Sequence, residues 1–166
     1  MNGSTERAYT FRPAGTGDLP LLRSWLARPH VREWWGEGDP FDADDLADRR
    51  VRRWIVGTEG RPFAYMQDYA VHGWEGGHHF DFLSAGARGI DQFIGEPDMI
   101  GRGHGSGFVG ARMRALFDGG VPAIGTDPHP ENARAIAAYA KLGFRIAGPA
   151  RETEWGTVLP MVATPT

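Results

Sequence analysis

Ile100-Gly101-Arg102-Gly103-His104-Gly105-Ser106-Gly107 decides how this chain is read. Four glycines in eight residues let the main chain approach a ligand closely and present several N–H groups together. An amphipathic pattern follows at once, with Val109, Met113, Leu116 and Phe117 on one helical face and Gly119 as its stop. A glycine loop opening a helix places unpaired amides and the positive end of the helix dipole at one point, a setting for a pyrophosphate. By itself it reads equally as a mobile glycine loop. It lacks the Gly-Lys-Ser/Thr of a Walker motif, and its first glycine is misplaced for the dinucleotide fingerprint.

Upstream, Gly89 to Ile94 reads as a short strand interrupted by Asp91. An unpaired buried charge is costly, so Asp91 belongs on a solvated or ligand-facing side. There, partial desolvation would raise its pKa and suit it to general-base work on an ammonium; a surface acid on an edge strand is the equal alternative. Downstream, Ala123 to Thr126 reads as a strand and Glu131 to Leu142 as a helix stopped by Gly143. Asn132 and Tyr139 lie seven apart, two turns on one helix face. Asn132 offers a donor and an acceptor, and Tyr139 a hydroxyl able to protonate a leaving thiolate. On spacing alone, a half-buried core aromatic is the simpler reading of Tyr139.

Further out, Tyr9 to Pro13 alternates as a first strand, and Asp18 caps a helix with Leu19, Leu22, Trp25 and Leu26 as its stripe, ended by Pro29. Asp42, with Asp45 three residues on, opens a second helix to about Arg53. Trp54 to Val56 and Pro62 to Val71 are strands joined at Thr58-Glu59-Gly60-Arg61. In the second strand Phe63, Tyr65, Gln67, Tyr69 and Val71 share a face, with Asp68 opposite. Residues 72–88 carry no clear period. Phe144 to Ala147 and Val158 to Ala163 complete a β-α-α-β-β-β-α-β-α-β-β order, an α/β (α+β layered) domain with a mixed sheet.

Composition limits the partners. At 166 residues, 41% hydrophobic and 23% charged, the chain has the length and make-up of one folded domain over residues 8–166, with 1–7 as a flexible leader. A net charge of −3 argues against nucleic acid, and no apolar run or signal-like segment points to a membrane, so a cytoplasmic place is expected. Zero cysteines exclude disulfides, thiolate metal sites and an acyl-cysteine intermediate. His78-His79 with Asp81 cannot easily aim both imidazoles at one ion, and no metal is expected.

Ile100 to Ser106, Thr126-Asp127-Pro128-His129-Pro130-Glu131-Asn132-Ala133-Arg134-Ala135-Ile136, Tyr139 and Lys141-Leu142-Gly143-Phe144 together resemble the GCN5-related N-acetyltransferases (GNAT). Arg88-Gly89-Ile90-Asp91-Gln92 and His30-Val31-Arg32-Glu33-Trp34-Trp35-Gly36 are similar to the aminoglycoside 6′-N-acetyltransferase subgroup. The likeness runs from about Phe11 to Val162.

The resemblance implies a mostly antiparallel twisted sheet with a splayed parallel strand pair and helices on both faces. It implies acetyl-CoA, with Gln92, Phe93 and Ile94 along its thioester arm, Arg102, Gly103, His104, Gly105 and Ser106 at its pyrophosphate, and Asn132 and Ala135 nearby. Ile100 is taken as the first position of the six-residue family pattern, with Arg102 as the other register. The resemblance also implies Asp91 as base, Tyr139 as acid, and Trp35, Tyr65, Glu75, Asp127 and Glu154 toward the substrate.

The expected reaction is direct acetyl transfer to a small-molecule amine, the 6′-amine of an aminoglycoside, with antibiotic resistance as its consequence. The expected state is a monomer or homodimer. The acid-rich flap of the subgroup is thin here, offering only Glu75 and Asp81. An N-hydroxylysine or peptide amine acceptor, or a non-catalytic CoA-binding module, are the alternatives.

Overall fold

A computed structural model describes residues 8–36 and 41–166; the expected leader, residues 1–7, lies outside them. Seven strands form one sheet in the order β1-β2-β3-β4-β5-β9-β6, where β1 is Thr10–Pro13, β2 Val51–Thr58, β3 Arg61–Ala70, β4 Arg88–Ile94, β5 Ile124–Thr126, β6 Arg145–Ile146 and β9 Met161–Ala163. β7 (Arg151–Thr153) and β8 (Gly156–Val158) make a separate hairpin. Among the described residues only β4 and β5 are parallel; every other pairing is antiparallel. The helices are α1 (Leu19–Leu26), α2 (Pro29–Trp35), α3 (Ala43–Ala47), α4 (His104–Asp118) and α5 (Ala133–Lys141). Among the described residues no helix is long and apolar enough to cross a membrane.

Among the described residues three buried clusters form, and the two that pack the helices on the sheet lie on its opposite faces; the third gathers Tyr69, Val71, Phe80, Ala87 and Ala123. Val56, Met66, Ile90 and Ile124 pack with Phe108, Val109, Met113 and Leu116 of α4 and Tyr139 of α5. On the other face Ile55, Tyr65 and Phe93 meet Leu22, Trp25 and Val31 of α1 and α2. The expected mixed sheet with helices on both faces is what forms.

Several local expectations are corrected. Pro29 does not merely end a helix: it is the first residue of α2, where its missing N–H costs nothing. The capping box of Asp42 and Asp45 forms, with Asp45 N–H donating to Asp42 Oδ1 at 2.8 Å, but α3 stops at Ala47. Residues from Val51 are instead drawn into β2 by pairing with β3, tertiary pairing overriding helical pattern. Phe63 leaves the face of Tyr65 because the register jumps there, Gly57 facing Pro62 and Val56 facing Ala64. This bulge sends Phe63 to the α4 side, 5.8 Å from Phe108. The last expected strand is broken at Pro160 into β8 and β9.

Candidate active site

β4 is paired with β3 along the whole length of β4, from Arg88↔Ala70 to Ile94↔Ala64, but with β5 only at Arg88↔Ile124 and Gly89↔Gly125. Beyond Gly89 the two parallel strands separate, and one edge of β4 faces a gap. Alternation decides which groups point there. Arg88 N–H donates toward β5, to Ala123 O at 3.1 Å, while Gly95 N–H donates toward β3, to Phe63 O at 2.8 Å. Even-numbered residues therefore present their main chain to the gap. Ile90 O accepts from Thr126 Oγ1 at 3.2 Å, and Ile94 O accepts from His30 Nε2 at 2.8 Å. The N–H groups of Gln92 and Ile94 remain on that edge. Phe93 turns its main chain to β3 and stacks its ring on Tyr65 at 5.3 Å.

Two carboxyls meet beside the gap. Asp91 on β4 and Asp127, one residue past β5, hydrogen-bond to each other, and Gln67 Nε2 donates to Asp91 Oδ2 at 2.9 Å. Burial pushes both up, Asp127 to about 6 and Asp91 well above the carboxylate range; Asp127 raises Asp91 further. Two acids this close cannot both ionise freely, so they hold one proton between them near neutrality. Behind them Tyr65 O–H donates to Gln67 Oε1 at 2.7 Å, and Arg53 donates to both groups at 2.9 and 3.0 Å. Tyr65 is 0% exposed. Its expected place at the substrate is thus corrected: a ring sealed between Phe93, Trp35 and Phe41 supports Gln67 from behind.

Asp91 and Gln92 are neighbours on a strand, so their side chains leave on opposite faces. On the Gln92 side, Gln92 Nε2 donates to the Tyr139 hydroxyl at 3.3 Å, and Thr126 also bonds that hydroxyl. Burial raises the Tyr139 pKa, keeping the phenol protonated. Base and acid candidates thus flank one gap. Asn132 lies just outside the helix expected to contain it: it is the N-cap of α5, and its Oδ1 accepts from Ala135 N–H at 3.2 Å. The cap occupies the Ala135 amide and leaves Asn132 its Nδ2 donors.

The glycine loop ends in α4 as expected. Gly103 is the cap, and the helical ladder starts with Gly107 N–H to Gly103 O at 3.1 Å. The amides of His104, Gly105 and Ser106 precede that ladder. A Cβ on Gly105 would meet only Ile94 Cδ1, at 4.0 Å, so nothing inside the protein requires glycine there. Gly107 differs: its Cβ would stand 2.4 Å from Tyr9 Oη. His104 contributes main chain alone, because its ring is buried and its Nδ1 lies 3.0 Å from that same hydroxyl. Arg102 is exposed at the loop's outer edge.

Residues 15–151 match the family model described as an acetyltransferase (GNAT) domain. The chain belongs to the GNAT acetyltransferases. It is 38% identical over 152 residues to an aminoglycoside N(6′)-acetyltransferase type 1 from Klebsiella pneumoniae, covering 85% of this chain and 76% of that protein. Among solved structures it is similar to AAC(6′)-Ib in a complex containing acetyl-CoA, with a TM-score of 0.84 at 36% identity over 95% of this chain and 93% of the other. It is also similar to AAC(6′)-Ib with coenzyme A and kanamycin, with a TM-score of 0.83 at 35% identity over 95% of both chains.

In this GNAT chain the remaining predicted residues lie on three separate segments, α2, the turn after Trp74 and the β7–β8 hairpin. Trp35 is partly buried against Phe41, Tyr65 and Phe93, whereas Trp34 is 42% exposed beside His129. Glu75 is exposed in the turn from Trp74 to Gly77, and Glu154 is exposed at the tip of the β7–β8 hairpin. The next residue, Trp155, lies over His78 and His79 at 5.1 and 5.9 Å.

Sequence reading missed three contributors: Gln67, His30 and His79. Gln67 was marked only by sharing a face with Tyr65, and His79 only by a metal-like spacing. Its Nε2 lies instead 2.7 Å from Asp127 Oδ2. Among the described residues no three His, Asp or Glu side chains gather around a metal position.

Proposed function

We propose that this GNAT chain acetylates the 6′-amine of an aminoglycoside by direct transfer, with the Asp91–Asp127 pair as base and Tyr139 as acid. The observation that carries the reading is the placing of that pair and that phenol on the two sides of one gap. The relatives' printed activity, aminoglycoside N(6′)-acetylation, and the kanamycin and coenzyme A in a similar structure support the substrate class.

Acetyl-CoA fits the site, because the first-turn amides of α4, which precede the helical ladder, and the open space over Gly105 make a cradle that a Cβ would narrow. His104, Gly105 and Ser106 would hold its pyrophosphate, which favours Ile100 as the first position of the loop pattern. When bound, it supplies a thioester carbonyl to be attacked and a thiolate to depart. The Gln92 and Ile94 N–H groups on the open edge of β4 are donors for a carbonyl oxygen. The acid pair draws the substrate ammonium toward the gap and takes its proton, freeing the lone pair. Tyr139 holds its phenolic proton for a sulfur, and Gln92 keeps the hydroxyl aimed. With no cysteine in the chain, no acyl-cysteine stage intervenes.

The test is an acceptor screen read by thiol release. Turnover of kanamycin-type aminoglycosides, with a product acetylated at the 6′ position, is expected. Turnover of N-hydroxylysine or a peptide amine without any aminoglycoside turnover would overturn the acceptor class.

A further inference from the structure

His79 is not a surface histidine. Its side chain is 2% exposed, stacked on His78 at 4.1 Å between ring centroids, with Phe80 and Trp155 closing the other sides. The His78 ring is itself fixed, since its Nδ1 accepts the Phe80 N–H at 3.0 Å. One edge of His79 therefore has a single orientation, and along it Nε2 meets Asp127 Oδ2 at 2.7 Å. The other ring nitrogen, Nδ1, is buried with no hydrogen-bond partner among the described residues. A buried ring that leaves one nitrogen unsatisfied is held by its other contact. That contact is the acid pair.

We propose that His79 is a positioning residue for the base: its Nε2–H, donating to Asp127 Oδ2, fixes Asp127 as the ionised member and leaves the shared proton on Asp91. With Oδ2 held by His79, the Asp127 carboxyl cannot turn freely away from Asp91. The groups around the ring agree on a neutral imidazole. Burial and the charge of Arg151 on β7 lower its pKa, against Asp91 and Asp81, which raise it. His78, lowered to about 4 by burial and by His79, stays neutral beside it. A neutral ring with its proton on Nε2 is a donor to a carboxylate, and its bare Nδ1 is then the less costly nitrogen to leave unpaired.

This inference rests on the acid pair being the base, and its test reads the pair without any substrate. Aspartate carboxyl signals are followed by 13C NMR across a pH titration of the full chain, for wild type, His79→Leu and His79→Gln. The glutamine amide can offer one N–H from a position close to that of Nε2. Losing the donor in His79→Leu is expected to raise the Asp127 midpoint by about half a pH unit or more, and His79→Gln to recover at least half of that shift. The acid limb of the kcat/KM profile should move in the same order. Should His79→Leu not fold, His79→Asn, whose shorter amide does not reach Oδ2, replaces it with the same expected shift. An unchanged Asp127 midpoint without the donor, or equal shifts with glutamine and leucine, would overturn the assignment. Because no acceptor is present, a chain that acetylated some other amine would still return the titration.

Discussion

Replacing Asp68 with Asn removes a buried charge that ties the root of β4 to α4. The Asp68 carboxylate is 0% exposed and accepts from Trp54 Nε1 at 3.0 Å, Arg88 Nε at 2.7 Å and Arg112 Nε at 2.9 Å. Arg52 adds a fourth, longer contact at 4.0 Å. Removing the anion leaves the Arg88 and Arg112 guanidiniums, each 14% exposed, facing one another across a neutral amide. Breaking a buried ion pair costs about 3–5 kcal/mol. A neighbouring cavity of about 320 Å³, lined by Arg52, Arg88 and Arg112, admits water to these cations and favours the lower end. For a chain of this size each kcal/mol moves Tm by about 2–4 °C, so a loss of about 3 kcal/mol predicts a drop of about 6–12 °C. The assay is reversible thermal unfolding followed by circular dichroism. Because Arg88 marks where β4 still pairs with β5, below the gap, kcat at low temperature should stay within about threefold of wild type. A Tm within 2 °C of wild type would refute the claim that Asp68 bears these charges in the folded state.

Two further substitutions separate the cradle and the acid from the scaffold. Gly105→Ala places a methyl where the protein has room, so stability should hold or rise by about 0.5–1 kcal/mol, while CoA affinity falls about tenfold or more by calorimetry. Gly107→Ala should instead lower Tm, because the methyl meets Tyr9; the reverse pattern would remove the loop from the cofactor site. Tyr139→Phe should lower kcat about 10- to 100-fold with KM for the amine little changed. Since burial raises the Tyr139 pKa, the wild-type rate should show no alkaline limb from this phenol below its ordinary titration range. A decline in kcat between pH 8 and 9, about, absent in the phenylalanine variant, would contradict that.

Much of this site was written locally in the chain. The glycine loop opening α4, the Glu59-Gly60 turn with both residues at positive φ, and the Asp42–Asp45 box depend on residues a few positions apart, and they formed where the sequence places them. Asp91 was legible as a carboxylate in an apolar strand. What escaped was set by contacts distant in sequence. The helical pattern after Asp48 lost to pairing with β3, and Phe63 changed faces through a bulge that no alternation reveals. Tyr65 looked like a wall of the cleft until Trp35, Phe41 and Phe93 closed over it. His79 reaches Asp127 across 48 positions, so its neighbours in sequence suggested only a metal.

The account stands most directly on Asp91→Asn. Asparagine keeps the shape and can still accept from Gln67, but it cannot pass the pair's shared proton to Asp127 and take up the substrate's in its place. It also relieves a pair whose raised pKa values oppose folding: the folded chain binds the extra proton, so this pair's contribution to stability falls as pH rises through about 6, the Asp127 value, and onward toward that of Asp91. Turnover should fall on the order of a hundredfold or more, with CoA affinity unchanged and Tm at neutral pH equal to or above wild type. Wild-type turnover in this variant would contradict the central claim, and so would a loss of turnover accompanied by an equal loss of CoA binding.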